Sequence, residues 1–190
     1  MRRRVLAAAT IFALLALLVP GCSTPASQAI WPNYTNAACG LSMWYPEDWI
    51  YEEGIDQVTF ATSEDAITTY PLEAGAFMIV VCGDLQDQTF GAWGATLAGY
   101  IVSILGLESL VGEARIIGGH EGYLEPMEGA FEDGQVIVGF TAAVEYEGWG
   151  YFFAAITTQH EMEEYKPALT KMLDSVRFAA PARPTPAATG

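Results

Sequence analysis

The sequence predicts an α+β domain in which a largely antiparallel sheet is covered by helices on both faces, an α/β/α sandwich. Three observations predict it. Ala76 to Cys82 is apolar at every position, and Tyr151 to Thr157 is apolar except at its last residue. Strands without a polar face are covered from two sides. Gly54, the Gly118-Gly119 pair, Gly134 and Gly148 mark short turns between strand-like segments, and short turns make neighbouring strands antiparallel. Two stretches, near residues 90–104 and 164–176, switch to a helical period and supply the covering layers.

The elements follow in order. Leu41 to Tyr45 reads as a strand stopped by Pro46, and Pro46 to Trp49 as a tight turn or a single helical turn. Ile50 to Glu53 and Gln57 to Thr62 form a hairpin about Gly54. After the central strand at 76–82, Phe90, Trp93, Leu97, Ile101 and Ile104 make one apolar helical stripe. Gly91, Gly94 and Gly99 interrupt that helix at about 1 kcal/mol each against alanine. They read as close packing on the sheet or as an approach for a ligand. Gly112 to Ile117 and Gly122 to Met127 are strands turning at Gly118-Gly119. Asp133-Gly134 is a turn before a long strand carrying Val136, Val138, Phe140, Ala142 and Val144. Gly148-Trp149-Gly150 turns the chain into the 151–157 strand. Tyr165, Leu169, Met172 and Val176 give the last helix, whose start near Glu164 places Pro167 in the first turn.

Outside this unit the composition changes. Arg2, Arg3 and Arg4 precede an apolar run from Val5 to Val19, broken only by Thr10, followed by Pro20, Gly21 and Cys22. Those are the parts of a secretory signal. Fifteen residues span about 22 Å, short of the ~30 Å hydrocarbon core. A cysteine just after a small residue makes the segment resemble a bacterial lipoprotein signal, although Pro20 departs from the pattern. The resemblance implies lipidation at Cys22 and anchoring to the cell membrane or the outer membrane on its extracytoplasmic face. The divisions are therefore a signal peptide at 1–21, a tether at 22–38, a domain at 39–179 and a Pro/Ala-rich disordered tail at 180–190. Ile30, Trp31 and Tyr34 are apolar enough to pack on the domain rather than hang free.

Removing residues 1–21 takes three arginines, leaving five basic against 23 acidic residues and a net charge of −18. That surface repels nucleic-acid phosphates, so nucleic acid is excluded as a partner. Cys39 and Cys82 remain, an even pair in an exported chain, and read either as one disulfide or as two separately buried thiols.

The run Cys39-Gly40-Leu41-Ser42-Met43-Trp44-Tyr45-Pro46-Glu47-Asp48-Trp49 resembles the opening of the PsbP-like superfamily, an apolar strand and then Tyr-Pro-x-x-Trp. Val58-Thr59-Phe60 is similar to its next strand. Tyr165-Lys166-Pro167 through Met172-Leu173-Asp174-Ser175-Val176-Arg177-Phe178 is similar to its closing helix and final short strand. The resemblance implies an antiparallel sheet between helices, with Trp49 and Phe178 packed in the core or at a sheet edge. The superfamily includes an extrinsic photosystem subunit, a Ran-binding import factor and bacterial lipoproteins, without a shared active site.

No catalytic set, cofactor site or metal site emerges. His160 lies in Gln159-His160-Glu161-Met162-Glu163-Glu164, which opens like a zinc-protease helix, but Glu164 stands where the second histidine belongs. Gly118-Gly119-His120-Glu121-Gly122 is a hairpin turn and not a dinucleotide loop. Glu125, Glu128, Glu132 and Asp133 lack calcium-loop spacing. The expectation is a non-enzymatic binding or assembly protein whose partner is another envelope protein. A carrier or sensor of a small or lipidic ligand is the alternative. A large apolar cavity under the 90–105 helix would favour the carrier, and a filled core with exposed aromatics would favour docking.

Overall fold

The computed structural model describes residues 31–69, 71–131 and 134–182. The signal, Cys22, the tether up to residue 30, Glu132, Asp133 and residues 183–190 of the tail lie outside the described residues. Eleven strands and three helices follow in the described parts. β1 (Asn33–Asn36), β2 (Leu41–Trp44) and β11 (Arg177–Phe178) make a three-stranded sheet in the order β1-β2-β11. The larger sheet runs β3 (Ile50–Glu53), β4 (Gln57–Ala61), β5 (Ala76–Asp84), β10 (Trp149–Thr158), β9 (Val136–Tyr146) and β8 (His120–Ala130). β6 (Glu108–Ser109) and β7 (Glu113–Ile117) both pair with β8 and form its far edge. Every pairing is antiparallel, as expected.

The alternation of side chains along β10 divides the core. Tyr151, Phe153 and Ala155 point into one cluster with Met78, Val80, Phe60 and the buried residues of α3 (Met162–Asp174), Leu169, Met172 and Leu173. Phe152, Ala154 and Ile156 point the other way, into a second cluster with Phe77, Ile137 and Ile101 of α2 (Phe90–Leu105). Helix α3 shares its face with the small sheet. Among the described residues the other face carries only α2 and the five-residue α1 (Glu64–Thr68) as helices. The expected sandwich is thereby revised to a sheet-rich fold with few helices, because neither face carries a continuous helical layer. The expected start of α3 near Glu164 is also revised. A 3-10 turn at Gln159–Glu161 leads into the helix at Met162, so Pro167 lies inside it. Lacking an N–H, Pro167 leaves the carbonyl of Glu163 without its helical donor. The turn expected at 148–150 is tighter, at Glu147 (φ 50°) and Gly148 (φ 79°), with Trp149 already in β10.

β1 falls inside the stretch read as a tether. Its Tyr34 is 5% exposed, with rings 5.2 Å from Phe60 and 5.5 Å from Tyr51. Cys39, next to β2, is joined to Cys82 of β5 with a Cα–Cα distance of 6.1 Å. The bond ties the small sheet to the centre of the large one. Beside it the buried Tyr151 hydroxyl donates to the Cys39 carbonyl at 2.6 Å.

Reducing the Cys39–Cys82 bond, which closes a 43-residue separation, is expected to cost about 4 kcal/mol in the chain-entropy model. Urea unfolding with and without reductant measures it, and an unchanged midpoint contradicts the stapling role. Burial, above all, raises the Tyr34 and Tyr151 hydroxyls to about 12, with the bond to Glu53 adding to the shift at Tyr34. The unfolded chain ionises its tyrosines near pH 10 while the folded chain still holds these two protons. Their contribution is therefore complete below pH 10 and is lost as pH climbs from 10 to about 12. Unfolding midpoints across that range, read beside tyrosinate absorbance, should fall together; a flat midpoint contradicts the burial argument.

Candidate functional site

Helix α2 contains no Asp, Glu, Lys or Arg in its 16 residues. Thr89 caps its start, the hydroxyl accepting from Ala92 N–H at 3.3 Å. Gly106, at φ 58°, ends it in the left-handed conformation that glycine adopts most readily. Only Ile101 is buried.

The helix is seated by Trp93 on a glycine floor. Gly83 of β5 and Gly150 of β10 are directly paired, and the Trp93 ring lies over both. A Cβ on Gly150 would stand 2.6 Å from the ring, and one on Gly83 would stand 3.5 Å from its nitrogen. Gly91 and Gly99 face open space, and Gly94 meets only the methyl of Ala143 at 3.7 Å. The helix glycines therefore narrow α2 and do not press it against the sheet. On its outer side Tyr100 is 61% and Ile104 is 50% exposed.

A narrow helix leaves an apolar groove on each flank. One, about 260 Å³, runs over β8 and β9 between Phe90, Ala98, Tyr123 and Phe152, with Glu125 at its side. The other, about 350 Å³, lies between α1 and α2 and is lined by Ile67, Leu72, Phe77, Ile79, Ile104 and Ile137. Both are open troughs beside the helix, while Phe152, Ala154 and Ile156 fill the space beneath it. An acidic residue, Glu125, borders the first groove, and the second has only uncharged residues in its lining. On the opposite face a trough of about 380 Å³ beside α3 is lined by Leu124, Phe140 and Leu169, with Arg115 and Lys166 at its margin.

The residues singled out in the sequence are dispersed. His120 is half-buried at the start of β8, its ring 4.9 Å from Tyr146 and 5.8 Å from Phe178. His160 is exposed in the 3-10 turn before α3. Its neighbour Glu161 is structural: one carboxylate oxygen accepts from Thr158 Oγ1 at 2.7 Å and from Gly75 N–H at 2.8 Å. Among the described residues no group of three or more His, Cys, Asp or Glu is placed to hold a metal ion. Trp49 is buried with its ring 6.2 Å from Tyr165, and Phe178 stacks on Tyr146 at 5.5 Å. Sequence reasoning found the stripe of α2 but missed its glycine floor and the groove walls from α1. The apolar and uncharged composition of 90–105 was the available signal.

No family model matches the chain, and no curated protein matches it. Solved structures do share its fold. The cyanobacterial PsbP protein CyanoP of Synechocystis sp. PCC 6803 superposes with a TM-score of 0.55 at 15% identity, covering 84% of this chain and 99% of its own. LpqN, described as involved in cell envelope biogenesis of Mycobacterium tuberculosis, gives 0.54 at 12% identity over 79% and 86%. The Saccharomyces cerevisiae Ran-binding protein Mog1p gives 0.53 at 11% over 79% and 96%. The domain has the PsbP-like fold.

With Trp93 as its main seat, α2 opens more easily than the sheet. Trp93→Ala is expected to speed amide exchange across 90–105 at least tenfold while β5 and β10 stay protected. Exchange mass spectrometry measures this, and uniform protection across helix and strands contradicts it.

Proposed function

We propose that this is a lipid-anchored extracytoplasmic docking domain without enzymatic activity. Cys22 carries the lipid, and the α2 face binds a second envelope protein. The observation that carries the reading is an uncharged, outward-facing helix on a chain with 23 acidic residues. Strongly acidic proteins stay soluble and apart by charge, and an apolar ridge left without any charge marks a contact surface. The partner's chemistry follows from what borders the ridge. Apolar side chains fill the two troughs, and a basic residue flanks the first to meet Glu125.

Orientation supports the same reading. Eight residues lie between Cys22 and Trp31, a reach of at most about 30 Å over the nine residue steps. Trp31 packs on the α3 side of the sheet, with the Lys171 ammonium 3.8 Å from its ring. A chain tethered on that side presents α2 away from the bilayer. No described helix is long and apolar enough to cross a membrane. The carrier reading has less support. Small-ligand sites commonly occupy about 300–1,000 Å³ and enclose their ligand, whereas these troughs are open, one below that range and one at its bottom. The relation to LpqN is one of fold, and an envelope role for this chain is part of the proposal.

Affinity capture of the full chain from detergent-solubilised membranes, followed by mass spectrometry of proteins and lipids, tests the proposal. A protein partner is expected with wild type and is expected to drop at least about tenfold with Ile104→Asp or Tyr100→Asp. Equal capture by these folded variants, or one lipid recovered per chain, contradicts it. Cys22→Ala is expected to leave the membrane fraction.

A further inference from the structure

The two edges of the large sheet differ. β3 is short, and its sequence Ile50-Tyr51-Glu52-Glu53 ends in adjacent carboxylates, a composition that discourages pairing. The far edge is built from β6 and β7, which together run along β8 from Glu108 to Ile117. It exposes Leu110 (43%), Val111 (95%) and Ile116 (60%). Among the described residues β7 pairs only with β8, so its outer side carries free backbone donors and acceptors.

The order of side chains on β7 is self-complementary. Its register with β8 puts Glu113, Arg115 and Ile117 on the α3 face, and Ala114 and Ile116 on the α2 face. Gly112 falls on the α2 face, directly beside the Tyr123 ring. We propose that β7 pairs with β7 of a second copy, antiparallel about a two-fold axis at Ala114. On the α3 face Glu113 then lies opposite the second copy's Arg115, and Arg115 opposite its Glu113. Arg115 already binds Asp174 at 2.6 Å, and its remaining guanidinium donors serve the new carboxylate. On the α2 face each exposed Ile116 lies opposite the other copy's Gly112. There the Tyr123 ring lies over Gly112, taking the place a side chain would have, so Ile116 packs against that ring, which is itself 46% exposed. Ala114 meets Ala114, the smallest side chain at the axis. Opposite charges and matched sizes directly across a strand pair are the interactions that stabilise a sheet.

The symmetry has a further property. Side chains opposite one another in a strand pair share a face, so the axis stands perpendicular to the sheet. Both α2 helices then face one way and both α3 faces the other. Two tethered chains can therefore pair within one bilayer without turning either over. The edge pairing does not itself depend on what α2 binds.

The test uses the full acylated chain in detergent, with fewer than one chain per micelle on average. Opposed Cα atoms in an antiparallel pair are about 4.5 or 5.5 Å apart, either of which a disulfide spans. Ala114→Cys is therefore expected to give a covalent dimer under mild oxidation. Ile116→Cys, whose two copies stand about 14 Å apart along the strands, is expected to remain monomeric. Arg115→Glu should weaken dimerisation at least tenfold in sedimentation equilibrium. The double change Glu113→Arg with Arg115→Glu should restore it. Equal crosslinking at 114 and 116, no crosslink at 114, or a folded double variant that stays monomeric would overturn the proposal. Circular dichroism checks folding of the charge variants, and the cysteine pair alters only exposed positions.

Discussion

The structure depends on β10 being buried from both sides. Tyr151 and Phe153 are fully buried on one face, while Phe152 and Ile156 are all but fully buried on the other. Fully burying one such side chain contributes roughly 1.5–3 kcal/mol, so no other strand carries as much of the core. Its neighbours β5 and β9 are held in register along most of its length. Where backbones crowd, the strands use glycine: a Cβ on Gly139 would collide with the Ala155 carbonyl. A strand so placed needs cover on two faces, and the two faces meet that need differently.

On one face the cover is linked to both ends of the described chain. Helix α3 supplies Leu169, Met172 and Leu173, the small sheet supplies Leu41 and Met43, and the Cys39–Cys82 bond joins the layers. Ala179 N–H donates to the Gly40 carbonyl at 2.8 Å, drawing the segment after β11 against the same sheet. On the other face a helix of small residues sits on paired glycines and leaves its flanks open. The disulfide and chain-end ties on one side, and the uncharged helix between two grooves on the other, give the domain a structural face and a contact face. The proposed anchor belongs beside the first, and the proposed partner on the second.

Much of the fold was legible because burial leaves a pattern. β5 and β10 show as unbroken apolar runs, α2 and α3 as helical stripes, and the β3–β4 hairpin as two short segments about Gly54. The elements that escaped lack such patterns. β1 reads Asn-Tyr-Thr-Asn, with only Tyr34 buried. α1 is five residues held by the Ser63 cap, which accepts from Ala66 N–H at 3.2 Å. β6 is two exposed residues. The glycine floor joins positions far apart in the chain, which no local pattern can connect. For the same reason the covering layers were overestimated. Two helical stripes suggested two layers, but the stripe on α2 is narrow and its glycines leave gaps instead of filling them.

The central claim is the opposition of the two faces about the membrane. Site-specific photocrosslinkers placed separately at Tyr100 on α2 and at the exposed Thr35 on β1 measure it directly in membranes holding the acylated chain. The account predicts a protein adduct from position 100 and phospholipid adducts from position 35. Phospholipid labelling at 100, or the same protein adduct from both positions, would contradict it.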